Sequence, residues 1–134
     1  MMPIVIDANI AIYWFSSRTT KIAEMALEAV GREGAVVPAL WRWEVQDVLR
    51  RLARDGHLHV TASDAMSEMR RLPISVDDGL KSLFGSESAL ARDYGLSVYD
   101  AAYLEVALRL NVQLATVDKK LATAARAAGV AFTV

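Results

Sequence analysis

Residues 3–7 read Pro3-Ile4-Val5-Ile6-Asp7, an apolar, β-branched run closed abruptly by a carboxylate. A strand with one wet face alternates apolar and polar residues, so a continuous run of this kind predicts a parallel strand buried on both faces. Working outward, further short strands are expected at 34–38, 74–76, 112–116 and 130–134. Helical spacing fills the intervals: 9–15, 20–30 stopped by Gly31, 40–54 stopped by Gly56, and 63–72 ending before Pro73. It continues through 77–94 as two helices meeting near Gly85, then 98–110, then 118–128 ended by Gly129. Short strands alternating with helices predict an α/β fold, a three-layer sandwich whose short, mainly parallel central sheet is flanked by helices.

The 134 residues show no linker, internal repeat or charged tail, so a single domain over 1–134 is expected. Hydrophobic residues at 54% and charged residues at 23% exclude a disordered or fibrous chain. Fifteen Lys and Arg against 16 Asp and Glu leave a net charge of −1, so any anionic ligand must be held by local charge. The absence of cysteine removes disulfides, thiol nucleophiles and Cys-ligated zinc. The opening MMPIVIDANI lacks the basic region of a secretory signal, and no apolar stretch approaches the ~18 residues of a membrane span, so a cytoplasmic protein without membrane association is expected.

Four acids stand where a plain fold would place something apolar. Asp7 ends the first strand, at the sheet edge where open α/β folds bind ligands, and Asp118 follows the 112–116 strand. If those strands are neighbours, the two acids converge. On the helix 98–110, Glu105 and Arg109 are expected to mark the exposed stripe, and Asp100 projects about 140° from Glu105, on the side of Ala101, Leu104, Ala107 and Leu108. On the helix 40–54, Glu44 lies roughly 80° from the centre of the apolar stripe Trp41, Val45, Val48, Leu49 and Leu52, a margin position suited to lining a cleft. Asp47 and Arg51 read as a solvent-side pair one turn apart. Each acid also has a purely structural reading: Asp7 and Asp118 as helix N-caps, Ser97 with Asp100 as a capping box, and Glu44 as an edge residue.

Carboxylate oxygens are hard ligands, so a site built from Asp7, Glu44, Asp100 and Asp118 suits Mg²⁺ or Mn²⁺ rather than zinc. The chemistry such a site supports is metal-assisted phosphodiester hydrolysis. Arg42 and Trp43 flank Glu44, and Arg50 and Arg54 continue the same helix; arginine binds phosphate and tryptophan stacks on unpaired bases, so these four are candidate RNA-binding residues. Trp41 reads as core. Tyr13, Trp14 and Phe15 read as core or a partner-binding patch, and His57 and His59 as exposed turn residues. No GxSxG, GxxxxGKS or GxGxxG occurs.

Four segments together resemble PIN-domain proteins: IVIDANI at 4–10, Glu44 within WRWEVQDVL, YGLSVYDAAYLEVA at 94–107 and LATVDKKLATAARAAGV at 114–130. The similarity runs almost end to end, and more narrowly it is to the VapC toxins of VapBC toxin–antitoxin modules. The resemblance implies a PIN-like domain in which Asp7, Glu44, Asp100 and Asp118 form a metal-binding catalytic quartet, with Thr116 as a hydroxyl beside it and Asn9 as a polar helper. It further implies a Mg²⁺- or Mn²⁺-dependent endoribonuclease cutting structured RNA such as tRNA or rRNA. As partners it implies a second copy of the chain and a VapB-type antitoxin whose C-terminal segment occupies the toxin groove. Two features depart from the family pattern: Ala8 stands where many relatives carry Thr or Ser, and no fifth acid has positional support, Asp47 and Asp93 being the only contenders.

Three other readings compete. A PIN-like module that only binds RNA or a partner has no need of four converging charges. A receiver-type signalling domain requires paired acids after the first strand and a late Lys, where this chain has Ala8 and Val117. A phosphatase with an Asp nucleophile requires a second Asp where Asn9 stands.

Overall fold

The computed structural model describes residues 2–78 and 83–133. In chain order the elements are β1 (Ile4–Ile6), α1 (Ala8–Tyr13), α2 (Lys21–Glu33), β2 (Ala35–Val37), α3 (Leu40–Arg54), α4 (Ala62–Arg70), β3 (Ile74–Val76), α5 (Glu87–Tyr94), α6 (Val98–Leu110), β4 (Leu114–Ala115) and α7 (Lys119–Ala127). All four strands are parallel, in the order β3-β2-β1-β4. The expected α/β sandwich is therefore present. The apolar run that opens the chain is an inner strand, paired to β2 through Ile4 and Val5 and to β4 through Val5 and Ile6.

Connections between parallel strands are right-handed, so the steps β1→β2→β3 carry α1–α4 over one face of the sheet and the return from β3 to β4 carries α5 and α6 over the other. The buried apolar residues form one cluster in which β1, β2 and β4 are packed between helices of the two layers. Every C-terminal strand end points to the same edge, and that edge is where β1 hands over to α1 and β4 to α7.

Several boundaries differ from expectation for identifiable reasons. Helix α2 does not stop at Gly31; it runs on to Glu33 and is ended by Gly34 at φ 86°. Gly31 sits on the exposed side with open space where a Cβ would be, so it costs the helix only some propensity. Gly34 must turn the chain into β2 with its missing Cβ only 3.0 Å from the Pro73 carbonyl oxygen. Substituting Gly34→Ala should cost more than about 1 kcal/mol in urea unfolding, because both the left-handed backbone and that close approach exclude a methyl group.

The first helix ends at Tyr13, earlier than Phe15, because residue 16 instead makes an antiparallel bridge to Leu58. The strand expected at 112–116 shortens to Leu114–Ala115, and the one expected at 130–134, whose last residue lies outside the described residues, reduces among the described ones to a parallel bridge between Ala131 and Leu114. Of the two helices expected within 77–94, the second is α5, whereas the first falls largely on residues 79–82, outside the described residues. Among the described residues no helix is long and apolar enough to cross a membrane.

Candidate active site

Asp7 is the first residue after β1 and is 6% exposed. Burial there is affordable because both carboxylate oxygens are bonded. Oδ1 accepts from the backbone N–H of Ile10 at 3.1 Å, capping α1, and Oδ2 accepts a short hydrogen bond from the Thr116 hydroxyl at the end of β4. Thr116 Oγ1 in turn accepts from the Asp118 N–H at 3.0 Å. Asp118 caps α7 by accepting from the Leu121 N–H at 2.9 Å. The structural readings of Asp7 and Asp118 as N-caps are thus correct, and the pairing of β1 with β4 brings the two acids to one edge of the sheet.

Asp100 stands in the first turn of α6, whose N-cap Ser97 accepts from the Asp100 N–H at 3.0 Å. Burial pushes the Asp7 carboxyl up to about 6 despite the lowering bonds from Thr116 and Ile10, and the charges of Asp100 and Asp118 push in the same direction. Asp100 is raised from the ordinary carboxylate range by burial and by Asp118, with the Ser97 contact opposing. The three aspartates therefore sense one another's charge. Two residues of α6 depart from the helical-wheel expectation: Leu108 is exposed, and Asp100 is half-buried rather than turned into the core.

Glu44 holds the margin position expected of it, half-buried on α3. Its Oε1 accepts a 2.7 Å hydrogen bond from the Tyr103 hydroxyl on α6. Tyr103 is 2% exposed, and its phenol is held well above its ordinary range by burial, by the bond to Glu44, and by the charges of Glu44, Asp7 and Asp100. Tyr103 was not among the expected site residues. A signal existed, since it lies three residues after Asp100 on the same helix, but an aromatic residue in YDAAYLEVA reads first as core.

Glu105 corrects a second expectation. It is 5% exposed rather than solvent-facing, and Arg109 one turn later donates to both of its oxygens. The same guanidinium makes a short ion pair with Asp77, just past β3, and these partners raise its affinity for the proton further. This network ties the middle of α6 to the C-terminal end of β3.

Among the described residues, no three His, Asp or Glu side chains lie close enough together to hold an ion as they stand. The donor set at the sheet edge is nevertheless all oxygen, which is the chemistry of a hard divalent cation. Asn9 is exposed and lines a separate cleft with Tyr13, Arg18 and His57. His57 and His59 are exposed, as expected, the ring of His59 meeting the Trp14 carbonyl at 3.3 Å. Trp41 is core, and Asp47 with Arg51 form an exposed pair at 3.6 Å. Trp43 is 61% exposed, with the Arg42 guanidinium 4.8 Å from its ring centroid. Arg50 and Arg54, seven and eleven residues after Trp43, share its helix face and are exposed.

The PIN domain family matches residues 4–127 of this chain. The chain belongs to the PIN-domain family. Two relatives, each named Ribonuclease VapC3, come from Mycobacterium tuberculosis strains CDC 1551/Oshkosh and ATCC 25618/H37Rv. Each is 33% identical to this chain over 122 residues, covering 90% of the chain and 86% of the relative. The acids, Thr116 and Tyr103 all lie within the matched PIN domain.

Proposed function

We propose that this PIN-domain chain is a Mg²⁺- or Mn²⁺-dependent endoribonuclease and the toxin of a type II toxin–antitoxin module. The observation that supports this reading is that the charges of Asp100 and Asp118 act on buried Asp7 at the C-terminal sheet edge, while Glu44 accepts from Tyr103, a phenol that feels Asp7 and Asp100 as well. The two VapC3 ribonucleases support the direction of the assignment. Asp7, Glu44, Asp100 and Asp118 would hold the cation, which supplies Lewis acidity toward a phosphodiester. Thr116 fixes the orientation of the Asp7 carboxylate, the Leu121 N–H fixes that of Asp118, and the Ser97 cap fixes the backbone of Asp100. Arg42, Arg50 and Arg54 bind phosphates along α3, and Trp43 offers a stacking face for an unpaired base. The partners are a structured RNA, tRNA or rRNA, a VapB-type antitoxin, and a second copy of the chain.

Purified, antitoxin-free protein incubated with total RNA and Mn²⁺ should yield discrete products, mapped by sequencing the new ends. Those products should vanish with EDTA and with Asp100→Asn. Mn²⁺ at a hundred times its dissociation constant should also stabilise the fold by about 2.7 kcal/mol, because only the folded chain gathers the acids. Cleavage that survives EDTA, or no cleavage by a folded protein whose melting temperature rises with Mn²⁺, would defeat the nuclease assignment.

A further inference from the structure

The four acids come from two layers of the fold. Glu44 rides on α3, whose main packing is against α1 and α4 on one face of the sheet. Asp100 rides on α6, which packs on α5, α7, β1 and β4 on the other. Asp7 and Asp118 are anchored to strand ends by Thr116, whereas among the described residues Glu44 makes no hydrogen bond to the sheet. What links it to the other layer is the 2.7 Å hydrogen bond from Tyr103, a contact between residues 59 positions apart in the chain.

The direction of that bond is fixed by physics. A buried phenolic hydroxyl requires an acceptor, and a carboxylate oxygen 2.7 Å away can only accept, so the hydroxyl donates. Glu44 therefore has one oxygen committed to Tyr103 and the carboxyl plane turned by that commitment. Tyr103 is itself rigid, because its ring is enclosed in the core and its backbone lies within α6 only one turn from Asp100. A carboxylate on a long, half-buried Glu side chain would otherwise sample several rotamers and lose that freedom on taking up a ligand.

We infer that Tyr103 is a positioning residue: its hydroxyl holds Glu44 of α3 in register with Asp100 of α6, so that acids from both layers act as one divalent-cation site. The inference rests on the metal-site reading above. Hydrogen-bonded partners of metal ligands orient those ligands, and their loss weakens metal binding by about ten- to a hundredfold.

The test is Mn²⁺ affinity, measured by calorimetry on the metal-free full chain, for wild type, Tyr103→Phe, Glu44→Gln and the double variant. Tyr103→Phe is expected to weaken Mn²⁺ binding by about tenfold or more. In the Glu44→Gln background the same substitution should change affinity by less than about twofold, because the coupled partner is already altered. Equal affinity in Tyr103→Phe and wild type would overturn the inference, as would equal weakening in both backgrounds, which would mark a general packing role. Wild type that binds no Mn²⁺ would overturn the metal-site reading and this inference with it. A second measurement leaves the fold untouched: the ¹³Cζ resonance of Tyr103 in wild type should move on Mg²⁺ addition and stay still in Glu44→Gln. No movement in wild type at Mg²⁺ concentrations that raise the melting temperature would also overturn it.

Discussion

Replacing Asp7 with Asn is expected to lower RNA cleavage on the order of a thousandfold or more while making the metal-free protein more stable at pH 7.5. The two effects have one cause. The Asp7 carboxyl has a folded-state pKa of about 6 against an ordinary value of 3.8, and a group raised in this way contributes stability that is complete below the ordinary value and lost as pH rises through about 6. Above that window the folded protein carries an ionised, buried carboxylate beside two other aspartates, a cost of about 3 kcal/mol relative to the protonated form. Asn removes the charge but keeps an acceptor for only one of the two bonds, from Ile10 or from Thr116, and that loss offsets part of the relief, so about 1–2 kcal/mol of gain should survive. Urea unfolding in EDTA at pH 7.5 and pH 4.5 checks this directly. The gain should be present at the higher pH and nearly absent at the lower. An Asn variant that is less stable than wild type at pH 7.5, or that cleaves RNA at the wild-type rate, would show that Asp7 is not the strained acid of the site.

Substituting Arg109→Ala should produce the largest loss of stability, about 3 kcal/mol. Glu105 is 5% exposed and receives three hydrogen bonds from this one guanidinium, so truncation strands a carboxylate that folding has already removed from water. The substitution also frees Asp77 from its contact with Arg109 and loosens α6 from the end of β3. Against a total of 5–15 kcal/mol for an ordinary domain, this is a substantial fraction. Adding Glu105→Gln to Arg109→Ala should recover part of the loss, because the remaining amide carries no charge to desolvate. The urea midpoint with an unchanged slope is the measurement. A loss below about 1 kcal/mol would mean that the network is a surface ornament, which the burial of Glu105 contradicts.

The elements whose identity depends on local rules were legible before any coordinates. Helices α3 and α6 have the bounds expected from their spacing, Leu40–Arg54 and Val98–Leu110, and β3 is Ile74–Val76 as read. The misreadings share a physical origin in contacts that sequence distance conceals. Gly31 looked like a helix stop because glycine often is one, yet the turn into β2 was set three residues later by the approach of Pro73. Glu105 looked exposed because a helical wheel gives angles between residues and says nothing about a partner 32 positions from Arg109. Tyr103 was hidden by its own chemistry, an aromatic ring that belongs to the core and a hydroxyl that belongs to the acids. Asp7 and Asp118 satisfy the cap reading, and because a cap at the end of a parallel strand also places a carboxylate at the edge where open α/β folds bind ligands, the two readings do not exclude each other.

The parallel sheet also sets when, during synthesis, the acids first meet. The inner strand β1 is made well before its neighbour β4, and the Thr116–Asp7 bond joins residues 109 positions apart. A chain made only as far as β3 has no Thr116 to hold Asp7 and no Asp118 beside it. The arrangement closes only once β4 docks, so a growing chain has no assembled carboxylate edge until that strand has been made.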